Sequence, residues 1–215
     1  MRLPLWARPV LDIGMTLLLL LLMSYQIMSQ DLHAILGTIF LLVLIFHSFL
    51  NRRWYGALGR GRYTLSRLIA LLVNLLLPAL FLLTIGSGLI MVHSSIPMLR
   101  AWIAPARDLH LLLSHWVFLL AAIHLGLHGR MITSRLKQRL SKNGFTLAAF
   151  LAYGLAALGI WAFYDLRMAD YLFRQSLFAF FDVRTPAPVV LLKYASIFIL
   201  FAVLAHKGYT WLQDN

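Results

Sequence analysis

Long apolar runs alternate with short polar or basic interruptions along this chain. Six apolar segments stand out, at about 11–29, 32–50, 68–92, 109–128, 145–164 and 189–206. Each is close to the ~20 residues an α-helix needs to cross a hydrocarbon core of about 30 Å, with the usual allowance for tilt. The pattern predicts an all-α integral membrane protein: a six-transmembrane helix bundle forming one membrane domain over residues 1–215, with no room for a separate soluble domain. The first segment has the outline of a signal peptide, with Arg2 and Arg8 ahead of a leucine run. No small-x-small cleavage site follows "LLLLLLMSYQIMSQ", and Asp12 opens the run, so a retained span is expected.

The polar interruptions set the orientation. With the N-terminus inside, thirteen of the 19 Lys and Arg fall on the cytoplasmic side with Asp12 and Asp214, a net +11. They are Arg2, Arg8, Arg52, Arg53, Arg60, Arg62, Arg67, Arg130, Arg135, Lys137, Arg139, Lys142 and Lys207. Arg100, Arg107, Arg167, Arg174, Arg184 and Lys193 fall outside with five aspartates, a net +1. The positive-inside rule favours this orientation, with both termini cytoplasmic. The formal charge of +12 therefore marks a membrane face rather than a nucleic-acid site. The basic loops read as topogenic signals beside anionic headgroups. Outside, residues 165–188 carry Tyr171, Phe173, Phe178, Phe180 and Phe181, the composition of a short interfacial helix or turn.

Composition narrows the chemistry. The chain is 61% hydrophobic and 12% charged, about half the charge of a soluble domain. It has no cysteine, which excludes CxxCH-attached haem, cysteine-ligated iron–sulfur clusters and redox disulfides. Any metal is held by nitrogen or oxygen.

Histidines supply the nitrogen. His33 and His47 stand fourteen residues apart, and so do His110 and His124. Fourteen helical steps return to within about 40° of the starting direction and rise about 21 Å. In the inferred topology the second and fourth helices run parallel, so His33 lies level with His110 near the outer face. His47 then lies level with His124 near the inner face. The predicted arrangement is a four-helix core in which helices 2 and 4 clamp two haem b groups through bis-imidazole ligation, with irons about 20 Å apart. A histidine at this depth can also serve only as a hydrogen-bonding contact between helices, but four at matched depth are hard to explain separately. Zinc and copper fit less well, because His33 and His47 are too far apart to share an ion and no cysteine or carboxylate cluster completes a site.

The other polar residues sort around these four. His128, one turn beyond His124, is an alternative inner ligand or a propionate partner; the interval favours His124. His115 is ~140° from the ligand face, which suits packing. His93 is placed to meet quinone or headgroups, and His206 to lie at the inner interface. Haem propionates need cationic partners. Arg107 suits the outer haem, and Arg52, Arg53 and Arg130 the inner one, although the same arginines satisfy the charge rule. Gly37 and Gly126 offer room for a porphyrin or serve as ordinary small-residue packing positions.

In order and at these spacings, "HAILG", "HSFLNRRW", "ARDLH" and "HLGLH" resemble the flavinylation-associated cytochromes, small bacterial membrane proteins. The resemblance runs from "LDIGMT" through "GIWAFYDL" to "YLFRQSLFAFFD". The chain departs from that family at Ala34, where an acidic residue is common, at Gly129, where tryptophan is frequent, and at His115, where an aromatic is usual. The resemblance implies a bacterial inner-membrane location, and electron exchange between the quinone pool and extracytoplasmic proteins carrying covalent FMN. "GALGRG" follows no strand, so no nucleotide-binding fingerprint is present and direct NAD(P)H oxidation is not expected.

Three functions follow as expectations. The first is an electron-transfer subunit with two haems, quinol on one side and a redox protein on the other. The second is a haem-independent transporter or assembly factor with structural histidines; a proton-coupled transporter would place carboxylates within its spans, and only Asp12 qualifies. The third is a quinol-oxidising enzyme subunit in its own right, for which His93 would matter.

Overall fold

The computed structural model describes residues 7–176, 178–182 and 184–215. Arg2, counted among the cytoplasmic charges, lies outside the described residues, as do positions 177 and 183 of the aromatic outer loop. Helix makes up 84% of the described residues, and no strand occurs among them. The chain divides into two compact units, Met1–Arg62 and Tyr63–Asn215.

The first unit is a helical hairpin. Helix α1 spans Ala7–Met23 and α2 spans Gln30–Leu50, joined through a 3-10 turn at Tyr25–Ile27; a short helix α3, Arg52–Gly56, follows. The first apolar run was expected to stay helical to about 29. Polar residues end α1 earlier: the Ser24 hydroxyl turns back to donate to the Leu20 carbonyl at 2.8 Å. Ser29 then caps α2, accepting from the Leu32 N–H at 3.2 Å, and Asp31 adds negative charge to the first turn. At the other end, Arg8 on α1 reaches the Leu50 carbonyl at 3.4 Å.

The second unit holds α4 (Leu65–Val92), a 3-10 segment at Pro97–Trp102, α5 (Ile103–Leu127), α6 (Gly129–Arg139), α7 (Lys142–Asp165), α8 (Met168–Leu172) and α9 (Ala187–Asp214). Helix α5 is its centre, packed against α4, α8 and α9, while α7 lies along α9. Val117, Phe118, Val190, Ile197 and Phe198 form the buried core between them. Small residues make the close approaches. A Cβ at Gly126 would strike the Ala202 carbonyl, and one at Gly159 the Ser196 carbonyl.

Several helices outrun the apolar segments. Helix α5 begins at Ile103 rather than 109, because Pro105 sits in the first turn, where no intrahelical N–H is needed. Thr64 and Ser141 cap α4 and α7 with their hydroxyls. Helix α9 continues to Asp214, past the apolar stretch ending near 206, so its hydrophobicity marked membrane thickness rather than helix length. The basic segment after His128 forms the helix α6, which charge alone did not reveal.

Among the described residues, five helical stretches are long and apolar enough to cross a membrane: Gln30–Leu50, Leu65–Val92, Pro97–Leu127, Lys142–Asp165 and Ala187–Asp214. Helix α1, 17 residues, falls just short of that length. Large apolar side chains stay exposed along these helices, among them Leu42, Leu72, Phe150, Ile160 and Leu204. Such a surface is stable against hydrocarbon and not against water. The chain is a multi-pass helical membrane protein.

Candidate functional site

The second unit places His110 and His124 on α5, and α4 holds both rings in the same way. His110 Nδ1 lies 2.8 Å from the Thr84 carbonyl and 3.3 Å from the Ser87 hydroxyl. A carbonyl only accepts, so Nδ1 carries the proton and, in the neutral ring, the lone pair is on Nε2. Gly88 eases this approach, since a Cβ there would stand 3.3 Å from His110 Cε1. One helical segment away, His124 Nδ1 lies 2.8 Å from Asn74 Oδ1, which selects the same tautomer. Pro78 stands between these anchors and lacks the N–H that would bond the Asn74 carbonyl, loosening α4 at that turn.

His128 ends α5 as an exposed residue, its ring edge-on to His124 at 4.9 Å. His115, by contrast, is buried in packing. Its Nδ1 bonds its own helix at the Leu111 carbonyl, 2.7 Å away, and its ring stacks on Tyr171 at 4.5 Å. Tyr171, Met168 and Leu172 of α8 are therefore core, tied to α5 by the Trp116 indole donating to the Leu172 carbonyl at 3.0 Å. The outer-loop residues Phe173, Phe178, Phe180 and Phe181 remain exposed, so only part of the aromatic set is available to an interface. His93 caps α4, with Nδ1 3.0 Å from the Leu89 carbonyl. The His206 ring lies directly against Gly129, which leaves no room for any larger residue at 129.

The first unit carries His33 and His47 on α2. His33, one turn into the helix, meets the Tyr25 ring edge-on at 5.1 Å. His47, in the last turn, has the Asp12 carboxylate of α1 3.1 Å from Nδ1, close enough for charge attraction although the N–H is not aligned on the oxygen. The Asn51 amide N–H lies 3.3 Å from His47 Nε2. An amide nitrogen only donates, so Nε2 is the accepting atom here as well.

The arginines have local partners. Arg52 stacks on Phe49 at 4.3 Å and donates to its carbonyl, and Arg53 is exposed on α3. Arg107 sits over Phe178 at 5.1 Å and beside Asp108, while Arg130 pairs with Asp214. Lys193 pairs with Asp165 at 2.6 Å. Each of these pairs joins residues that the charge count assigns to one side of the membrane. Gly126 packs on α9 and so gives a cofactor no space, whereas within its own unit Gly37 has nothing within 4 Å of a Cβ position.

Sequence reasoning missed Asn74, Thr84 and the Asp12–His47 contact. Asn74 had a signal, a lone amide inside "LLVNLLLP" that needs a partner in hydrocarbon. Thr84 had none, because it acts through its backbone carbonyl.

What these residues define is a multi-pass helical membrane protein with imidazoles whose Nδ1 atoms face protein acceptors and whose Nε2 atoms bear the lone pairs. Among the described residues no group of three or more His, Asp or Glu is placed to hold a bare metal ion. Comparison with known families, characterised proteins and solved structures gives no match for this chain.

Proposed function

We propose that this chain is a transmembrane di-haem b cytochrome of the bacterial cytoplasmic membrane. In this reading α1 is the first of six spans, His33 and His110 hold the outer haem, and His47 and His124 the inner one. It exchanges electrons between the quinone pool and an extracytoplasmic, flavin-carrying redox protein. The observation that carries the reading is the pair of Nδ1 anchors from α4 to His110 and His124. Metal-ligating histidines characteristically donate the second ring N–H to a carbonyl, amide or carboxylate, which fixes the ring and strengthens the other nitrogen as a ligand. Haem held by these imidazoles would supply a one-electron carrier whose potential the ligating histidines and their surroundings tune. The chain's own part is to hold the imidazoles in one tautomer, to keep water away with the apolar helices, and to meet propionates with Arg107 at one end and Arg52, Arg53 and Arg130 at the other. Arg130 shares that task with its partner Asp214.

The same bonds support a second reading, in which His110 and His124 only tie α5 to α4 in a haem-independent transporter or assembly factor. A reduced-minus-oxidised spectrum with a pyridine haemochrome assay separates the two. The cytochrome reading expects sharp low-spin bands and two haems per chain, and a colourless, folded preparation from haem-replete cells rejects it. Replacing either member of a pair removes the same redox transition; if His128→Ala rather than His124→Ala removes the inner one, the inner ligand is reassigned. For the wiring, the protein in liposomes is reduced by a quinol and offered a flavinylated acceptor on one side. Oxidation from the side bearing Asp108 and the 165–188 loop is expected, and oxidation only from the basic side overturns that orientation.

A further inference from the structure

The ligand candidates differ in what stands at Nδ1. His110 faces a neutral carbonyl and His124 a neutral amide, but His47 faces a carboxylate, Asp12 Oδ1, at 3.1 Å. Asp12 is also the only acidic residue that opens an apolar run of the first hairpin from within α1. It is set in place by the hairpin: Arg8, one turn earlier, reaches the α2 carbonyl of Leu50, so α1 meets the end of α2 at two successive turns.

We propose that Asp12 is the positioning residue of His47 and makes it a stronger electron donor than His110 or His124. This rests on the cytochrome reading given above. A carboxylate held 3.1 Å from Nδ1 polarises the imidazole through its charge, raising electron density at Nε2. A more strongly donating axial ligand stabilises the more highly charged oxidised iron and lowers the reduction potential of that site. The two haem sites of this chain are therefore unequal, with the one that includes His47 the lower in potential. An ordinary interhelical ion pair would also bring Asp12 to His47, but it needs a doubly protonated ring, which has no lone pair to offer iron.

The test is a spectroelectrochemical titration of the full haem-loaded chain and its Asp12→Asn, Asp12→Glu and His47→Ala variants. His47→Ala identifies which of two transitions belongs to that site. Asp12→Asn is expected to raise the midpoint of that transition by a tenfold or greater change in its one-electron equilibrium, about 59 mV, and to leave the other in place. Asp12→Glu, which keeps the charge, restores most of the original value. If Asp12→Asn loses one haem while Asp12→Glu keeps both, positioning by the carboxylate is supported. If both variants lose a haem, the contact serves folding and the inference is overturned. Two haems with both midpoints unmoved in Asp12→Asn also overturns it, while the cytochrome reading stands. A wild-type chain without haem rejects the reading beneath it.

Discussion

At the scale of single residues, the α4 anchors differ in kind, and mutation separates them. Asn74 holds His124 through its side chain, so Asn74→Leu is expected to destabilise the haem-free protein by on the order of 1 kcal/mol and, in the cytochrome reading, to alter the spectrum of the proposed inner haem. Thr84 holds His110 through its carbonyl, so Thr84→Val is expected to leave the spectrum of the proposed outer haem unchanged. Thermal unfolding in detergent and low-temperature spectra of the two variants check both statements; equal effects from the pair would contradict this division. Gly88→Ala puts a Cβ 3.3 Å from the His110 ring, which must yield by a few tenths of an ångström. The histidines were legible in the sequence because polar rings in hydrocarbon are rare. Their Nδ1 partners were mostly not, since a backbone carbonyl has no signature and the spacing between helices is set only by packing.

At the scale of helices, small residues decide how close neighbours come. Gly159→Ala would press a Cβ into the Ser196 carbonyl and force α7 from α9, an overpacking expected to cost about 1–3 kcal/mol. Gly154, on the same helix, has nothing within 4 Å, so Gly154→Ala is expected to be neutral or to stabilise by up to about 1 kcal/mol. Comparing melting of the two variants tests whether α7 meets α9 by this face. Helix existence was readable from apolar runs, which report the thickness of the bilayer. Helix ends were not, because α5 and α9 extend into polar sequence where capping and first-turn proline geometry, not hydrophobicity, set the limits. Helix α6 escaped notice for the same reason: its basic residues are topogenic, and its helicity lies in a polar segment.

At the scale of the whole molecule, the absence of cysteine makes sidedness directly measurable. Single-cysteine variants at Ser134 and Gln213 are expected to resist a membrane-impermeant thiol reagent added to spheroplasts, while variants at Ser95 and Gln175 react. Ala7→Cys and Gln26→Cys probe the first helix. Labelling of only the second from outside is expected if α1 crosses the membrane, and labelling of both would leave five spans. The charge distribution predicts this sidedness because Lys and Arg are retained on the cytoplasmic side during insertion.

The bonds that α4 makes to His110 and His124 also bear on assembly. Both rings are held in place by protein alone, so the rotamer freedom that cofactor binding would otherwise have to remove is already gone. In the cytochrome reading, the α5 ligand of each site is thus set by α4 before haem binds, unlike metal-dependent domains that fold only around their ion. Protein made in haem-starved cells should keep its far-ultraviolet circular dichroism and take up added haem without gaining helix. Uptake accompanied by a large rise in helicity would mean that these two helices need the cofactor to find each other.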